Sequence, residues 1–346
     1  MVMTLGPTPA EPAPTVDIVT TVGGVGLRAY PVALPMRVRF RGITVRETLL
    51  LEGADGGWGE FCPFAEYDDD EAVPWLRCAL ESALGPAWPA PLRSTVPVNA
   101  TVPAVDPEHA HRIVTASGAG TAKVKVAEAG QDRAADLARV EAVRDALGPG
   151  GRVRVDANGG WDVDGAVAAV RALDRAAGGL EYVEQPCRTV EELAAVRRRV
   201  DVAVAADESI RRASDPMRVV AAGAADVAVV KVAPLGGVAA SLRIAEAIGL
   251  PCVVSSAVES SVGLAAGLAL AGALPELPHA CGLGTTSLLA RDTVAASLVP
   301  EGGALPVPPA APAPGVGNLA GNAMSPDRAT WWLDRVRRVL LLVEDR

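Results

Sequence analysis

Short runs of β-branched and small apolar residues alternate with Ala-rich amphipathic stretches from residue 96 onward. The apolar runs fall at 96–102, 122–126, 153–157, 181–184, 202–206, 227–232, 252–256 and 279–283. Helical patterns lie between them at 131–147, 163–177, 190–199, 216–222 and 238–248. Continuous apolar runs of this length, separated by helices, predict parallel strands buried on both faces. Polar residues at the ends of these runs recur every 23 to 31 positions. Eight such units, over about 200 residues, predict a TIM-type barrel in an α/β chain. An open doubly wound sheet would carry a Gly-rich fingerprint after its first strand, and the chain has none.

The N-terminal part reads differently. Segments 18–22, 27–34, 45–52 and 57–60 alternate or carry turn signals, as antiparallel strands do, and 71–84 has helical spacing. We therefore expect an α+β capping domain over 16–93 and a (β/α)7β barrel over 94–299. A Pro/Gly/Ala-rich stretch follows, and Ser325, Pro326 and Asp327 then supply an N-cap, a proline at the first helical position and an early acid. They open a final helix to about residue 343, so 300–346 is read as a linker and a helix that packs back on the cap. The Pro/Ala-rich 1–15 is expected to be a disordered tail and not a signal peptide.

Composition narrows the function. Half the residues are apolar but only 3% are aromatic, so the core must be built from Ala, Val and Leu. A net charge of −9 argues against a surface that tracks nucleic-acid phosphates. The longest apolar run, 262–275, is shorter than the roughly 20 residues of a membrane-spanning helix. Cys62, Cys78, Cys187, Cys252 and Cys281 are odd in number and form no CxxC pair, which fits a reducing cytoplasm. The expectation is a cytoplasmic protein with no nucleic-acid or membrane partner; oligomeric state is not legible.

Only three of the 32 basic residues are lysines: Lys123, Lys125 and Lys231. Arg stays protonated at any usable pH, whereas a desolvated Lys can give up its proton. All three lie at ends of predicted barrel strands, where the chemistry of such barrels sits. Between them in strand order come Asp156 and Asn158, then Glu184-Gln185-Pro186, then Asp207-Glu208-Ser209. Strands two and six of eight face each other across a barrel, with strands three to five on the arc between. Lys125 and Lys231 are thus expected on opposite walls and Asp156, Glu184 and Asp207 on the arc. Any one acid there could merely cap the next helix. Three hard oxygen donors in register instead suit Mg²⁺ (Mn²⁺ is an alternative). Such an ion would lower the cost of deprotonating carbon next to a carboxylate, with an enediolate forming between two lysines. Lys123 and Asn158 read as supporting residues, Lys123 keeping the pKa of Lys125 down.

These residues carry a resemblance. KVK (123–125), DAN (156–158), VEQP (183–186), DES (207–209) and Lys231 resemble the enolase superfamily in its muconate-lactonizing subgroup. Stretches such as GWGEFCPFAEY (57–67), VRVDANGGW (153–161), VVKVAPLGG (229–237) and VVSSAVESSVG (253–263) are similar to its o-succinylbenzoate synthase family of the actinobacterial type. The resemblance implies a cap over a (β/α)7β barrel, metal ligands at Asp156, Glu184 and Asp207, and acid/base lysines at Lys125 and Lys231. A Lys base beside Mg²⁺ is an established property of that superfamily. The implied reaction is dehydration of 2-succinyl-6-hydroxy-2,4-cyclohexadiene-1-carboxylate, a small-molecule carboxylate, toward menaquinone. Which lysine donates and which accepts stays open.

Two cap segments are expected near the pocket. Leu34 to Arg39 offers Arg37 or Arg39 to the succinyl carboxylate, and Trp58, Phe61, Phe64 and Tyr67 close the pocket; alternatively the aromatics form the cap's own core and the arginines lie on its surface. Ser255, Ser256 and the 282–284 backbone could hold the succinyl tail. His109 and His111 read as exposed helix residues, and His279 as structural. The same lysine pair also suits an N-acylamino acid racemase, a muconate cycloisomerase or a dipeptide epimerase, though the DxD of the last is absent from 253–263 and 279–285. A Schiff-base aldolase acting through Lys231, or a non-catalytic barrel, are remoter readings.

Overall fold

The computed structural model describes residues 21–22, 25–211 and 216–344. The 1–15 tail lies outside them, as does most of the predicted strand 18–22.

The cap is a four-stranded antiparallel sheet of β1 (Thr21–Val22), β2 (Val25–Phe40), β3 (Ile43–Gly53) and β4 (Trp58–Phe61), in that order. The β2–β3 hairpin is six residues longer at its tip than the apolar pattern predicts. Its two-residue turn places Arg41 at φ +49° and Gly42 at φ +78°, the left-handed pair that matches strand twist in tight hairpins. α1 (Asp69–Leu84) begins with a capping box between Asp68 and Glu71. It lies directly on the sheet because Gly59 has no side chain: a Cβ there would stand 1.9 Å from the Ala79 carbonyl oxygen.

The barrel sheet is parallel. β5 (Thr95–Pro97) stands apart from it, because Pro97 has no N–H for a ladder, and pairs with β13 (Ala304–Pro306). The barrel strands are β6 (Ala100–Val102), β7 (Thr121–Lys125), β8 (Arg152–Asp156), β9 (Leu180–Glu184), β10 (Val204–Ala206), β11 (Val227–Val230) and β12 (Cys252–Val254), each bonded to the next. The eighth predicted run forms no regular strand, being flanked by Pro278 and Gly284. It still closes the barrel, with Cys281 bridged to Val98 and Gly282 to Ser255.

The helices are α2 (Pro107–Ser117), α3 (Arg133–Leu147), α4 (Val163–Ala177), α5 (Val190–Arg197), α6 (Glu208–Arg211), α7 (Met217–Ala221), α8 (Val238–Ile248) and α9 (Ser261–Ala273). Asp106, Asp132, Asp162, Thr189 and Ser260 cap five of them, each worth about 1 kcal/mol. The apolar run at 262–275 is thus a buried barrel helix. α10 (Val316–Gly321) interrupts the stretch expected to be loop, and α11 (Pro326–Glu344) returns to the cap. Arg328 and Trp332 of α11 donate to Glu47, and the Trp332 ring meets Phe61 edge-on at 6.0 Å. No helix among the described residues is long and apolar enough to cross a membrane.

Alternation stacks the barrel interior in layers. The outward positions are small and apolar: Ala122, Val124, Val153, Val155 and Val183 pack beneath the helices. Inside, Tyr182, Ala205, Val227, Val229 and Val253 form an apolar layer. Beside Tyr182, its register partner, buried Arg154 donates to Glu181 at 2.5 Å and to the Ala280 carbonyl at 2.6 Å. A bulge makes this possible, since Val153 and Arg154 face Leu180 and Tyr182 and leave Glu181 as the extra residue. His279 also bonds Glu181, at 2.8 Å, a structural role. The charged layer at the other end is the candidate site.

Candidate active site

Each carboxylate sits where its strand stops. Asp156 and Glu184 are the last residues of β8 and β9, and Asp207 immediately follows β10. Lys125 pairs in register with Asp156, and Asp156 with Glu184, so the three form a row across neighbouring strands. The chain then turns sharply, with Asn158 at φ +42° and Gln185 at φ +40°. Asn158 N–H bonds the Asp156 carboxylate at 3.0 Å. The Gln185 amide oxygen accepts from the Asp207 and Ser209 N–H groups, locking the β9 and β10 ends together.

All five principal groups are buried, and each is paired. Lys123 Nζ donates to both Glu184 oxygens at 3.0 and 3.1 Å and lies 3.8 Å from Asp156. Lys231 Nζ donates to Asp207 Oδ2 at 2.6 Å, and Arg211 Nε to Asp207 Oδ1 at 2.9 Å. Lys125 Nζ donates to Asn158 Oδ1, whose amide donates to Glu208 at 3.2 Å. Arg211 bonds Glu208 as well and reaches Tyr67 of the cap at 2.6 Å. A continuous set of hydrogen bonds thus runs round the barrel mouth from Lys125 to Lys231.

Electrostatics follow from this crowding. Burial opposes the Asp207 charge, but Arg211 and Lys231 outweigh it and hold the carboxyl well below the usual range. Asp156 is also lowered, with Lys125 and Lys123 overcoming burial. Glu184 is pushed up to about 7 by burial and by Asp156 and Asp207, against the pull of Lys123. Lys123 is raised despite burial, because Glu184 and Asp156 hold it charged.

A cavity of about 30 Å³ lies above this layer. Lys123, Asp156, Asn158 and Lys231 line it from below, Ser255 and Ser256 from one side, and Phe40 and Arg41 of the hairpin tip from above. The tip is held by Arg41 stacked 4.3 Å over Phe64, and by Leu34, Val258 and Leu289 packed together at its base.

The structure separates several expected pocket residues. Arg37 points elsewhere: its Nε donates to the Leu289 carbonyl at 3.0 Å and it lines a separate cavity of about 290 Å³ beside α2. Strand twist and the register shift between Pro35 and Phe40 carry it away, and Arg41 takes the position over the site. Arg39 bonds the Gly42 carbonyl. Trp58, Phe61, Phe64 and Tyr67 are all buried; Trp58 packs against Val262 and Val294, and Tyr67 accepts from Arg211. His109 and His111 lie on α2, with the His111 side chain 43% exposed. Sequence reasoning missed Arg211, although its place four residues after Asp207 on a helical turn was a usable signal. It also missed Thr101, which pairs in register with Lys123 and also lines the cavity. Hairpin-tip residues Phe40 and Arg41 were missed because the apolar alternation stops short of them.

The donor set fits a hard divalent cation in kind, being three carboxylates on adjacent strands. Their placement is not a finished cage. Among the described residues no three His, Cys, Asp or Glu side chains are gathered closely enough to hold an ion. Lys123 stands between Glu184 and Asp156 instead, and Lys231 against Asp207.

Comparison with known proteins bears on most of the chain. Residues 106–319 match the family model of the enolase C-terminal domain-like fold, and residues 32–83 the enolase N-terminal domain-like model. An o-succinylbenzoate synthase of Thermobifida fusca is 67% identical over 80% of this chain and 86% of its own length. One from Mycolicibacterium smegmatis is 60% identical over 89% of this chain and 94% of its own. Among solved structures, muconate cycloisomerase from Pseudomonas fluorescens superposes with a TM-score of 0.69 at 24% identity, over 88% of this chain and 97% of its own, a likeness of fold. On these matches, the chain belongs to the o-succinylbenzoate synthase family of the enolase superfamily.

Proposed function

We infer that this chain is a hydro-lyase that removes water from 2-succinyl-6-hydroxy-2,4-cyclohexadiene-1-carboxylate, on one face of the ring, to give 2-succinylbenzoate on the way to menaquinone. The observation that carries this reading is the identity of 56–67% to proteins named o-succinylbenzoate synthase, over 80–90% of this chain. The site is consistent with it in chemical terms. A reaction that takes a proton from carbon beside a carboxylate needs a base, a group to protonate the leaving hydroxyl, and positive charge near the carboxylate.

We assign the base to Lys125, which removes the ring proton and then returns a proton from its ammonium to the departing hydroxyl. Lys231, on the opposite wall, meets the negative charge that develops as the C–H bond breaks. Aromatisation of the ring drives the loss of water. Asn158 aims Lys125, and Lys123 offsets the charge of Glu184 and Asp156. Asp156, Glu184 and Asp207 are the residues that would hold Mg²⁺. When bound, that ion supplies positive charge to the substrate carboxylate. We assign the succinyl chain to Ser255 and Ser256, which line the cavity. The expected site of action is the cytoplasm.

Assay of the purified chain with Mg²⁺ on two substrates tests this. Formation of 2-succinylbenzoate from the cyclohexadiene acid is expected, at a kcat/KM in the ordinary enzyme range of about 10⁴ M⁻¹s⁻¹ or more. Turnover of an N-succinylamino acid alone, by racemisation, would instead assign the lysine pair to the racemase reading.

A further inference from the structure

The loop after β12 forms the side wall of the reaction cavity through Ser255, Ser256, Ala257 and Val258. At its apex Val258 has φ +66°, a left-handed conformation that β-branched residues avoid. Something must impose that shape, and two buried cap residues are in contact with the loop. Arg46 Nε donates to the Val258 carbonyl at 3.2 Å, while its Nη2 is anchored on the Cys62 carbonyl and its guanidinium stacks 4.4 Å over Phe64. Glu60 accepts from Ser260 N–H at 3.1 Å, from Ser260 Oγ at 2.6 Å and from Gly263 N–H at 2.8 Å. Its carboxylate occupies space that exists only because Gly263 lacks a side chain: a Cβ there would stand 2.8 Å from Glu60 Oε2.

α9 carries no charged side chain, so its N-terminal partial charge is answered from outside the helix. Glu60 answers it from the cap. Asp292 bonds Ser261, and Glu259 turns back to Ser256 Oγ at 2.5 Å and Ala257 N–H at 2.8 Å. Arg46 thus fixes the apex of the loop and Glu60 its end, with Ser255 and Ser256 on the stretch leading to the apex.

We propose that Arg46 and Glu60 are positioning residues through which the cap sets the shape of the barrel loop 255–260, and hence the fit of the substrate against that wall. The proposal rests on reading the cavity as the substrate site. Neither residue touches the reacting atoms, so their loss should act on binding more than on the chemical step.

The test uses the full chain with Mg²⁺ and compares Glu60→Gln and Arg46→Lys with the parent on the cyclohexadiene acid. Glu60→Gln keeps the shape but turns an N–H pair toward backbone N–H donors. Expected is a fall in kcat/KM of roughly 10- to 100-fold, carried mainly by KM. Unchanged kcat and KM, or a loss of kcat at constant KM, overturns the proposal. If Glu60→Gln yields no soluble chain, Arg46→Lys, which leaves the helix cap intact, decides by the same criterion. Hydrogen exchange at the Ala257 and Val258 amides, which bond neither Arg46 nor Glu60, is read in parallel. Faster exchange in the variants is expected, and unchanged exchange overturns the proposal. This second readout stands even if the parent fails to turn over the cyclohexadiene acid, an outcome that would sink the functional reading alone.

Discussion

Lys125→Ala should lower turnover of the cyclohexadiene acid by about 10²- to 10⁴-fold, the range set by removing a general acid/base. Lys125 ends β7 in register with Asp156, and its Nζ bonds the Asn158 amide oxygen. The alanine variant removes no part of the barrel's apolar layer, so folding and Mg²⁺ binding should persist. Lys231→Ala differs in kind, because Asp207 keeps Arg211 as a partner and only the charge on the far wall is lost. Steady-state kinetics, circular dichroism and a Mg²⁺ titration on the same preparations check this. Near-parental turnover by Lys125→Ala would remove it from the role assigned.

The second large effect is on stability. Arg154→Leu should cost roughly 1.5–3 kcal/mol, the range for losing hydrogen bonds to a charged group, because Glu181 keeps His279 and Arg152 as partners. Arg154 is fully buried, stacks 4.7 Å over Tyr182, and joins β8 to Glu181 and to the Ala280 carbonyl of the closing segment. The loss therefore falls where the barrel closes, next to the site layer, since Arg154 pairs in register with Lys123. Urea unfolding measures it, and a change under about 1 kcal/mol, the size of an ordinary surface pair, would contradict the account. Acidity offers a companion check. Burial raises the Glu181 carboxyl, but His279 and Arg154 outweigh it and hold it at about 2, below the ordinary 4.5. A depressed acid stabilises the fold above its unfolded value and loses that contribution as pH falls. Glu181→Gln should accordingly flatten the decline in stability between pH 4.5 and 2.

Much of this arrangement was legible in the residues because it depends on period. Alternation of β-branched runs with amphipathic stretches located the barrel strands to within a few residues, and helices 163–177 and 238–248 fall where predicted. The strand-end positions of Asp156, Glu184 and Asp207 were legible for a different reason: charges at the ends of apolar runs have few ways to be tolerated. Contacts made across the fold were not legible. Arg41 reaches the site through a hairpin whose tip extends beyond the alternating segment, and Arg37 is carried off by a register shift. Glu60 reads from sequence as one acid on a cap strand, yet its partners lie 200 residues away at the start of α9. The eighth strand was foreseen as a run, but Gly and Pro reduce it to two bridges.

The central claim is that three carboxylates and two facing lysines act as one cation-dependent proton-abstraction site. It is tested most directly by removing divalent ions with EDTA and returning Mg²⁺ in steps while 2-succinylbenzoate formation is followed. The account predicts turnover that falls to background and recovers in full with one ion bound per chain. Undiminished turnover in excess EDTA would contradict it.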